Sequence, residues 1–441
     1  MEQLNVGVVY TLASALSRED EQLARYIALC LSVSGRCAKS WLVGMQNKPG
    51  RSQSSQGGDT ARHSVAVRCD GVVLDSRELS REIYEETDDW KVLEKCQLWI
   101  LLLDADTTIE SVEFLQKKLG KSKEKQQRVV MSLQTAMRRL AQLNAVMPDS
   151  VVLHGGAAFQ VVKDGSGALR PLSNGCFFVE RLSKEKTSAL FALDALEGIG
   201  IQVLSRQNIQ ALKWGCTMLR SFYYINALTG VSVLEGLRDR KTRFLFLQAL
   251  VEMDKLFEIV LQSVAAASSK ANSKGSNRGG AESSHPDTSA ATLFPVRSIM
   301  VLLPLPNWIF NFFALRLLDL GLGAPSDADK SVIMTDLEAM PLLQTNFETE
   351  FRDIFELAAG RNLSLPVLKL LRSTFTTAGK QREQAAKDGG SSRKTLRIDS
   401  GVLLAQVELS PQITAASRTF FLKVFVTFVL TLLLGLYLFV W

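Results

Sequence analysis

A chain of 441 residues, 46% apolar and 22% charged, is long enough for two or three domains and too apolar to be disordered. Its net charge of +6 is modest, and its Lys and Arg are scattered rather than striped with aromatics, which speaks against a nucleic-acid partner. Six cysteines without a C-x-x-C pair, and only three histidines, exclude a zinc site and a disulfide framework of the usual kinds.

The first element expected is a strand over the apolar run Asn5–Val9, followed by an amphipathic helix over Glu19–Leu31. Cys37–Val43 reads as a second strand, and Ser64–Leu74 as an alternating one through Val65, Val67, Val72 and Val73. Leu98–Leu103 is continuously apolar, as buried parallel strands are, and Thr108–Leu119 is the helix behind it. Val129–Leu133 and Val151–Leu153 supply further strands. The His154-Gly155-Gly156 triplet reads as a strand-end turn and Gly165-Ser166-Gly167 as a hairpin turn. Alternation of this kind over about 180 residues predicts a parallel sheet with helices on its faces. Three polar tracts, Gln46–Arg62, Ala265–Thr292 and Ala378–Arg397, hold too little apolar surface to order themselves.

From Ser205 the period changes. Ile209, Leu212, Cys216, Leu219 and Tyr223 follow one another at helical steps and place a stripe against a core. The stripe ends in INALTG, where Asn226 and Thr229 bring hydrogen-bonding groups to the helix end. Ser331–Ala358 reads as a helix, a break at Pro341 and a second helix, followed by a stop at Gly360–Asn362 and a third helix opened by Pro366. The last 18 residues, Val424–Trp441, carry no charge and would span roughly 27 Å as a helix at about 1.5 Å per residue. With Lys423 at its flank and no basic, apolar entry signal at residue 1, the chain is expected to be tail-anchored with its bulk cytosolic. The absence of a basic residue beyond the span favours the endoplasmic reticulum over the mitochondrial outer membrane.

The helix LKWGCTML leading into INALTG, followed by SVIMTD and the closing helices, resembles the ketopantoate reductase (2-dehydropantoate 2-reductase) family. That family carries Trp-x-Lys-Leu, then Ile-Asn-Pro-Leu-Thr, then Ser-Ser-Met-x-x-Asp with a substrate-binding Glu eight residues beyond the Asp. The resemblance implies a Rossmann-like α/β domain over residues 1–200 and an all-α domain over 205–378 interrupted by the insertion 265–292. A linker, 379–418, and a transmembrane helix, 419–441, would follow.

The same resemblance implies that the chemistry is lost. The glycines of the phosphate-binding turn fall on Tyr10, Leu12 and Ala15, and Gly7 lies inside the strand. The Arg that closes the second strand and faces the 2′-phosphate falls on Val43, and a cofactor-side Lys on Asp104. On the substrate side, the Asn-Gly pair falls on Thr135-Ala136, the catalytic Lys on Met218 and the Asn one turn later on Phe222. The second Ser becomes Val332 and the substrate-binding Glu becomes Gln344, while Asn226, Ser331 and Asp336 persist. Lys213 lies five residues before Met218 and points elsewhere. A slip of two residues, aligning Trp214 with the family's Trp, puts Cys216 at the catalytic place. The expectation is a degenerate, membrane-anchored binding or scaffold module with an unknown protein partner and no cofactor. The alternative is an active NADPH-dependent 2-dehydropantoate 2-reductase, or a relative acting on another 2-keto acid.

Overall fold

The computed structural model describes residues 4–12, 18–46, 66–69, 72–76, 78–103, 108–119, 128–134, 140–163, 168–171, 175–273, 296–314, 340–387, 398–407 and 409. Eight strands form one sheet in the order β12-β11-β8-β7-β6-β1-β2-β5. These are β1 (Asn5–Leu12), β2 (Lys39–Gln46), β5 (Tyr84–Thr87), β6 (Leu98–Leu102), β7 (Val129–Ser132), β8 (Val151–Ala157), β11 (Cys176–Glu180) and β12 (Gln202–Arg206). All neighbours pair in parallel except β8 with β11. The central strands are buried on both faces, which is why β6 reads as an unbroken apolar run. Helix α2 spans Thr108–Leu119, the limits its periodicity predicts.

The two faces of the sheet have separate cores. Val6, Val8 and Tyr10 of β1 face helix α1 (Arg18–Val33). Val9 faces the other way, with Trp41, Trp99 and Leu101, under α2, α3 (Leu140–Val146) and a 3₁₀ turn at Trp90–Lys95. Gly7 is what admits that turn, because a Cβ there would come within 2.4 Å of Leu93 Cδ2. Helix α4 (Leu190–Glu197) joins the α1 side through Ala192, Ala195 and Leu196.

A second sheet, ordered β4-β3-β10-β9, has no counterpart in the sequence reading. The stretch 64–74, expected as one strand, contains two, β3 (Ala66–Cys69) and β4 (Val72–Asp75), paired antiparallel. Another hairpin, β9 (Val161–Lys163) and β10 (Leu169–Pro171), joins them through a parallel Leu169–Val67 pairing. The Gly165–Gly167 turn falls between β9 and β10, outside the described residues. Val67, Val161 and Leu169 close over α1 and share its core. This explains why α1 is buried continuously from Leu23 to Ser32 instead of along one stripe.

The sheet reaches Arg206, so the helical domain begins with α5 (Ile209–Thr229). It continues through α6 (Val233–Arg238), α7 (Arg240–Ser273), α8 (Val296–Leu302), α9 (Asn307–Ile309) with a π turn at Phe310–Ala314, α10 (Met340–Ala359) and α11 (Pro366–Lys387). Asn208 caps α5 through Ala211 N at 3.0 Å, and Gly230 ends it at φ 66°. Ser232 and Glu235 form a reciprocal capping box on α6. Asn362, with φ 53°, marks the stop after α10. Pro341 sits in the first turn of α10, a position where the missing N–H costs nothing, and the helix expected before it lies outside the described residues.

Two expectations about ordering are corrected. Helix α7 continues through Ser273 into the tract 265–292, carried by the helix formers of AAASSKANS. The expected linker 379–418 begins inside α11 and then forms a further helix, α12 (Ser400–Ala405), which docks on the domain. Ile398 N donates to Leu228 O at 3.1 Å, and Leu403 and Val407 enter the helical core. Among the described residues no helix is long and apolar enough to cross a membrane; 419–441 lies outside them.

Candidate functional site

Helix α5 packs against β8 and β11 and reaches the carboxyl end of β7, the end of the sheet at which open α/β folds bind ligands. Ile209, Leu212 and Cys216 pack on Phe178 of β11. Ser132 is opposite His154 in the β7–β8 ladder, and Gly156 is opposite Phe178 in β8–β11. Side chains alternate along a strand, so Ser132, His154, Gly156 and Phe178 share the face that α5 covers. The His154-Gly155-Gly156 triplet is therefore mid-strand, not a turn. The missing side chain at Gly156 leaves room for the Phe178 ring, whose Cζ lies 2.4 Å from where a Cβ would stand.

Lys213 enters the crevice at this end of the sheet from α5. It is fully buried, and its Nζ donates to the backbone oxygen of Gln134 at 2.5 Å. Burial lowers its pKa to about 7, with Cys216 and Glu180 acting weakly the other way. His154 Nε2 lies 3.3 Å from Asn144 Oδ1. Burial first, then Lys213 and Lys186, lower that imidazole to about 4, which keeps it neutral at physiological pH. Ser132 Oγ, Gln134 Nε2 and His154 Nδ1 are buried and have no hydrogen-bond partner among the described residues. The Cys216 thiol is pushed up to about 12 by burial and is inert as a nucleophile.

Seven residues along α5, two turns and about 10.5 Å away, Arg220 continues the same stripe. Its guanidinium grips both oxygens of Glu350 on α10, and Tyr224 OH donates to Oε2 of the same carboxylate at 2.7 Å. The Tyr224 ring is packed edge-on to Phe347 and Phe351 at 5.2 and 5.6 Å. Glu350 is thus a buried, fully engaged carboxylate. Among the described residues no cluster of three or more His, Cys, Asp or Glu could hold a metal ion.

The positions named from sequence are placed differently. Met218 and Phe222 turn away from the crevice into the helical core, with Phe222 4.7 Å from Phe246 between ring centroids. Asn226 is fully buried, but neither atom of its side-chain amide has a partner among the described residues. Only its backbone oxygen serves the helix end, accepting from Gly230 N at 2.8 Å. Gln344 Nε2 donates to Thr376 Oγ1 at 3.3 Å and so ties α10 to α11. Thr135 and Val332 lie outside the described residues, as do Ser331 and Asp336. Of α5, the side chains that meet the sheet are Ile209, Leu212, Lys213 and Cys216, whereas Tyr224 joins Met218 and Phe222 in the helical core.

On the cofactor side, β1 is longer than expected. Tyr10 pairs with Gly44 and Leu102, the strand ends at Leu12, and Ala15 lies outside the described residues. Tyr10 is buried, and burial raises its phenol to about 12 against the opposing charge of Arg25. Arg25 lies 5.9 Å from the ring centre and forms a two-pronged pair with Glu86 at 2.7 and 2.8 Å, plus a bond to Glu21 at 2.9 Å. Val43 is mid-strand, since β2 continues to Gln46. Asp104 lies outside the described residues. The first turn of α1 reads Arg18-Glu19-Asp20-Glu21, and Glu21 is paired with Arg25.

No family model and no curated protein matches the sequence. Solved structures do match in fold. The PanE/ApbA family ketopantoate reductase from Ralstonia eutropha JMP134 superposes with a TM-score of 0.52 at 12% identity, covering 86% of this chain and all of that one. The ternary structure of D-mandelate dehydrogenase with NADH and anilino(oxo)acetate gives 0.53 at 12%, with the same coverage. The 2-dehydropantoate 2-reductase from Geobacter metallireducens GS-15 gives 0.50 at 14%, covering 85% of this chain and all of that one. The likeness is one of fold: a Rossmann-like sheet followed by a helical domain.

Proposed function

We propose that this chain is a catalytically degenerate ketopantoate-reductase-like body that acts as a protein-binding or scaffold module at a membrane. The observation that carries this reading is that the side chains at the positions matching the family's substrate pocket are apolar or already paired. Met218 and Phe222 are core side chains, and Glu350 is committed to Arg220 and Tyr224. Reduction of a 2-keto acid needs a proton donor and charge stabilisation at the developing alkoxide. The uncharged run Val424–Trp441 supports attachment to a membrane through 419–441, with the body cytosolic. The hydrophobicity of that run favours the endoplasmic reticulum over the mitochondrial outer membrane.

A second reading, an active NADPH-dependent 2-dehydropantoate 2-reductase or related 2-keto acid reductase, is favoured by Lys213, a buried amine of lowered pKa at the crevice. One experiment separates the two: titration of NADPH into the purified full-length protein in detergent, followed by assay with ketopantoate. The scaffold reading expects neither saturable NADPH binding nor ketopantoate-dependent oxidation. Robust turnover would establish the second reading in its place. Membrane attachment is tested separately by carbonate extraction, and orientation by protease digestion of a tag at residue 1 on intact organelles.

A further inference from the structure

Five polar side chains, each 6% exposed or less, meet at the carboxyl ends of β7 and β8: Thr108, Ser132, Gln134, His154 and Lys213. Their connections hold them together. Lys213 Nζ donates to Gln134 O at 2.5 Å, and Gln134 Oε1 accepts from Thr108 Oγ1 at 3.2 Å. Ser132 stands two residues before Gln134 and opposite His154, on strands about 4.8 Å apart.

The cluster has donors to spare and no anion. Ser132 Oγ, Gln134 Nε2 and His154 Nδ1 are closed off from solvent without a hydrogen bond among the described residues, although buried polar atoms are nearly always paired. Lys213 Nζ is fully buried and has only the Gln134 carbonyl. Glu180, whose field reaches it, is bonded to Lys186 at 2.5 Å. His154 can act as a donor too. Asn144 is exposed and can turn either end of its amide to His154 Nε2, which leaves the ring proton on Nδ1. A water molecule would answer part of this polarity but brings no charge to the amine.

Burial also sets the state of each titrating group. It lowers Lys213 to about 7, so the free amine, the form with a lone pair, is abundant at physiological pH. The Cys216 thiol, pushed up to about 12, and the His154 imidazole, lowered to about 4, are both uncharged there. A buried free amine among unused donors suits a small electrophile that turns into an anion when it adds. Carbon dioxide has that chemistry: it is uncharged on the way in and a carboxylate once bonded.

We infer that Lys213 is a carbamylation site, its Nζ taking up carbon dioxide to form a carbamate whose oxygens accept from Ser132 Oγ, Gln134 Nε2 and His154 Nδ1. The Nζ lone pair forms the N–C bond, one C–O π pair moves onto oxygen, and one proton leaves Nζ for solvent; nothing is oxidised or reduced. The N–H that remains still donates to Gln134 O. The carbamate ties α5 to β7 and β8, so dissolved carbon dioxide tightens the seam between the helical domain and the sheet. This holds whether or not the chain binds NADPH.

The test incubates the full-length protein in detergent with isotopically labelled bicarbonate near neutral pH and reads it by carbon NMR. The expected result is a carbamate carbon in the native chain that Lys213→Met lacks. Ser132→Ala leaves Lys213 in place and should raise the bicarbonate concentration for half-occupancy by about tenfold, as the loss of one hydrogen bond to a charged group does. Bicarbonate should also raise the unfolding temperature of the native chain, but not of Lys213→Met, relative to buffer purged of carbon dioxide. No carbamate carbon in the native chain at saturating bicarbonate, or the same one in Lys213→Met, overturns the proposal. A rise in unfolding temperature without a carbamate carbon marks bicarbonate held as an ion and overturns it as well. Should Lys213→Met fail to fold, Ser132→Ala decides: an unchanged half-occupancy overturns the site and a tenfold rise supports it.

Discussion

Lys213 donates to the carbonyl oxygen of Gln134 across the seam between the helical domain and the sheet, and no carboxylate hydrogen-bonds to it there among the described residues. A buried ammonium satisfied by one carbonyl is an expense to folding rather than a support.

Replacing Lys213 by Met should therefore stabilise the protein by about 1–3 kcal/mol near neutral pH. The sign with pH follows from the lowered pKa of about 7 against an ordinary 10.5. The folded state binds fewer protons than the unfolded state in that window, so this residue's contribution is complete above 10.5 and is lost as pH falls toward 7. Denaturant unfolding of both proteins at pH 7 and pH 9.5 should show the gap narrowing at the higher value. A native chain more stable than Lys213→Met at pH 7 contradicts this account.

Glu252 gives the opposite slope. Its carboxylate accepts from Val367 N at 3.1 Å and caps α11 from a different helix. Burial raises its pKa to about 7, against backbone and Gln248 hydrogen bonds that lower it. A raised carboxyl contributes fully below its ordinary 4.5, and that contribution is lost as pH climbs through 7. Glu252→Gln keeps an acceptor for Val367 and removes the titration. It should be more stable than the native chain at pH 8, by about 1 kcal/mol or more, with the advantage fading by pH 5. Parallel pH profiles for the two proteins argue against a buried, titrating Glu252.

Gly236 is required by Asn226. A Cβ on residue 236 would stand 2.2 Å from Asn226 Oδ1 and 3.2 Å from Phe222 Cζ. Gly236→Ala should cost about 2 kcal/mol through overpacking. Because the Asn226 amide forms no bond among the described residues, Asn226→Ala in the same chain should recover most of that loss. A double-mutant cycle measures the coupling; additive losses would place the strain elsewhere.

Met218→Lys should not create a reductase. Met218 lies in the helical core with Trp214 and Phe222, so the new ammonium would be buried among apolar groups instead of facing the crevice. The expected outcome is a loss of about 3 kcal/mol or more with no ketopantoate-dependent NADPH oxidation. Activity in this variant would restore the unslipped alignment.

The parallel sheet was legible because its central strands are buried on both faces: Leu98–Leu103 and Val129–Leu133 announce themselves by composition alone. The second sheet was not, because β3 and β10 are about a hundred residues apart and each hairpin alone is too short to signal a partner. The docked strap was hidden by its polar surroundings, with only Leu403 and Val407 carrying its burial. At the site, the INALTG motif and Trp214 gave registers two residues apart on one helix, which turns a side chain by about 160°, given some 3.6 residues per turn. Motif matching favoured the first, whose Met218 and Phe222 lie in the helical core. The pairing of Arg220 with Glu350 spans 130 residues and has no local signature.

Helix α1 lies between two sheets, and the outer one is assembled from hairpins that interrupt the chain at different places. Neither hairpin can complete that cover alone, since a single two-stranded ribbon is marginal in water. The two insertions are consequently a matched pair: a deletion of either should strip α1 of shelter and expose the backbone of the other. With both in place, the amides from Leu23 to Ser32 have no route to solvent short of opening the whole α/β domain. They should be the last in the molecule to take up deuterium.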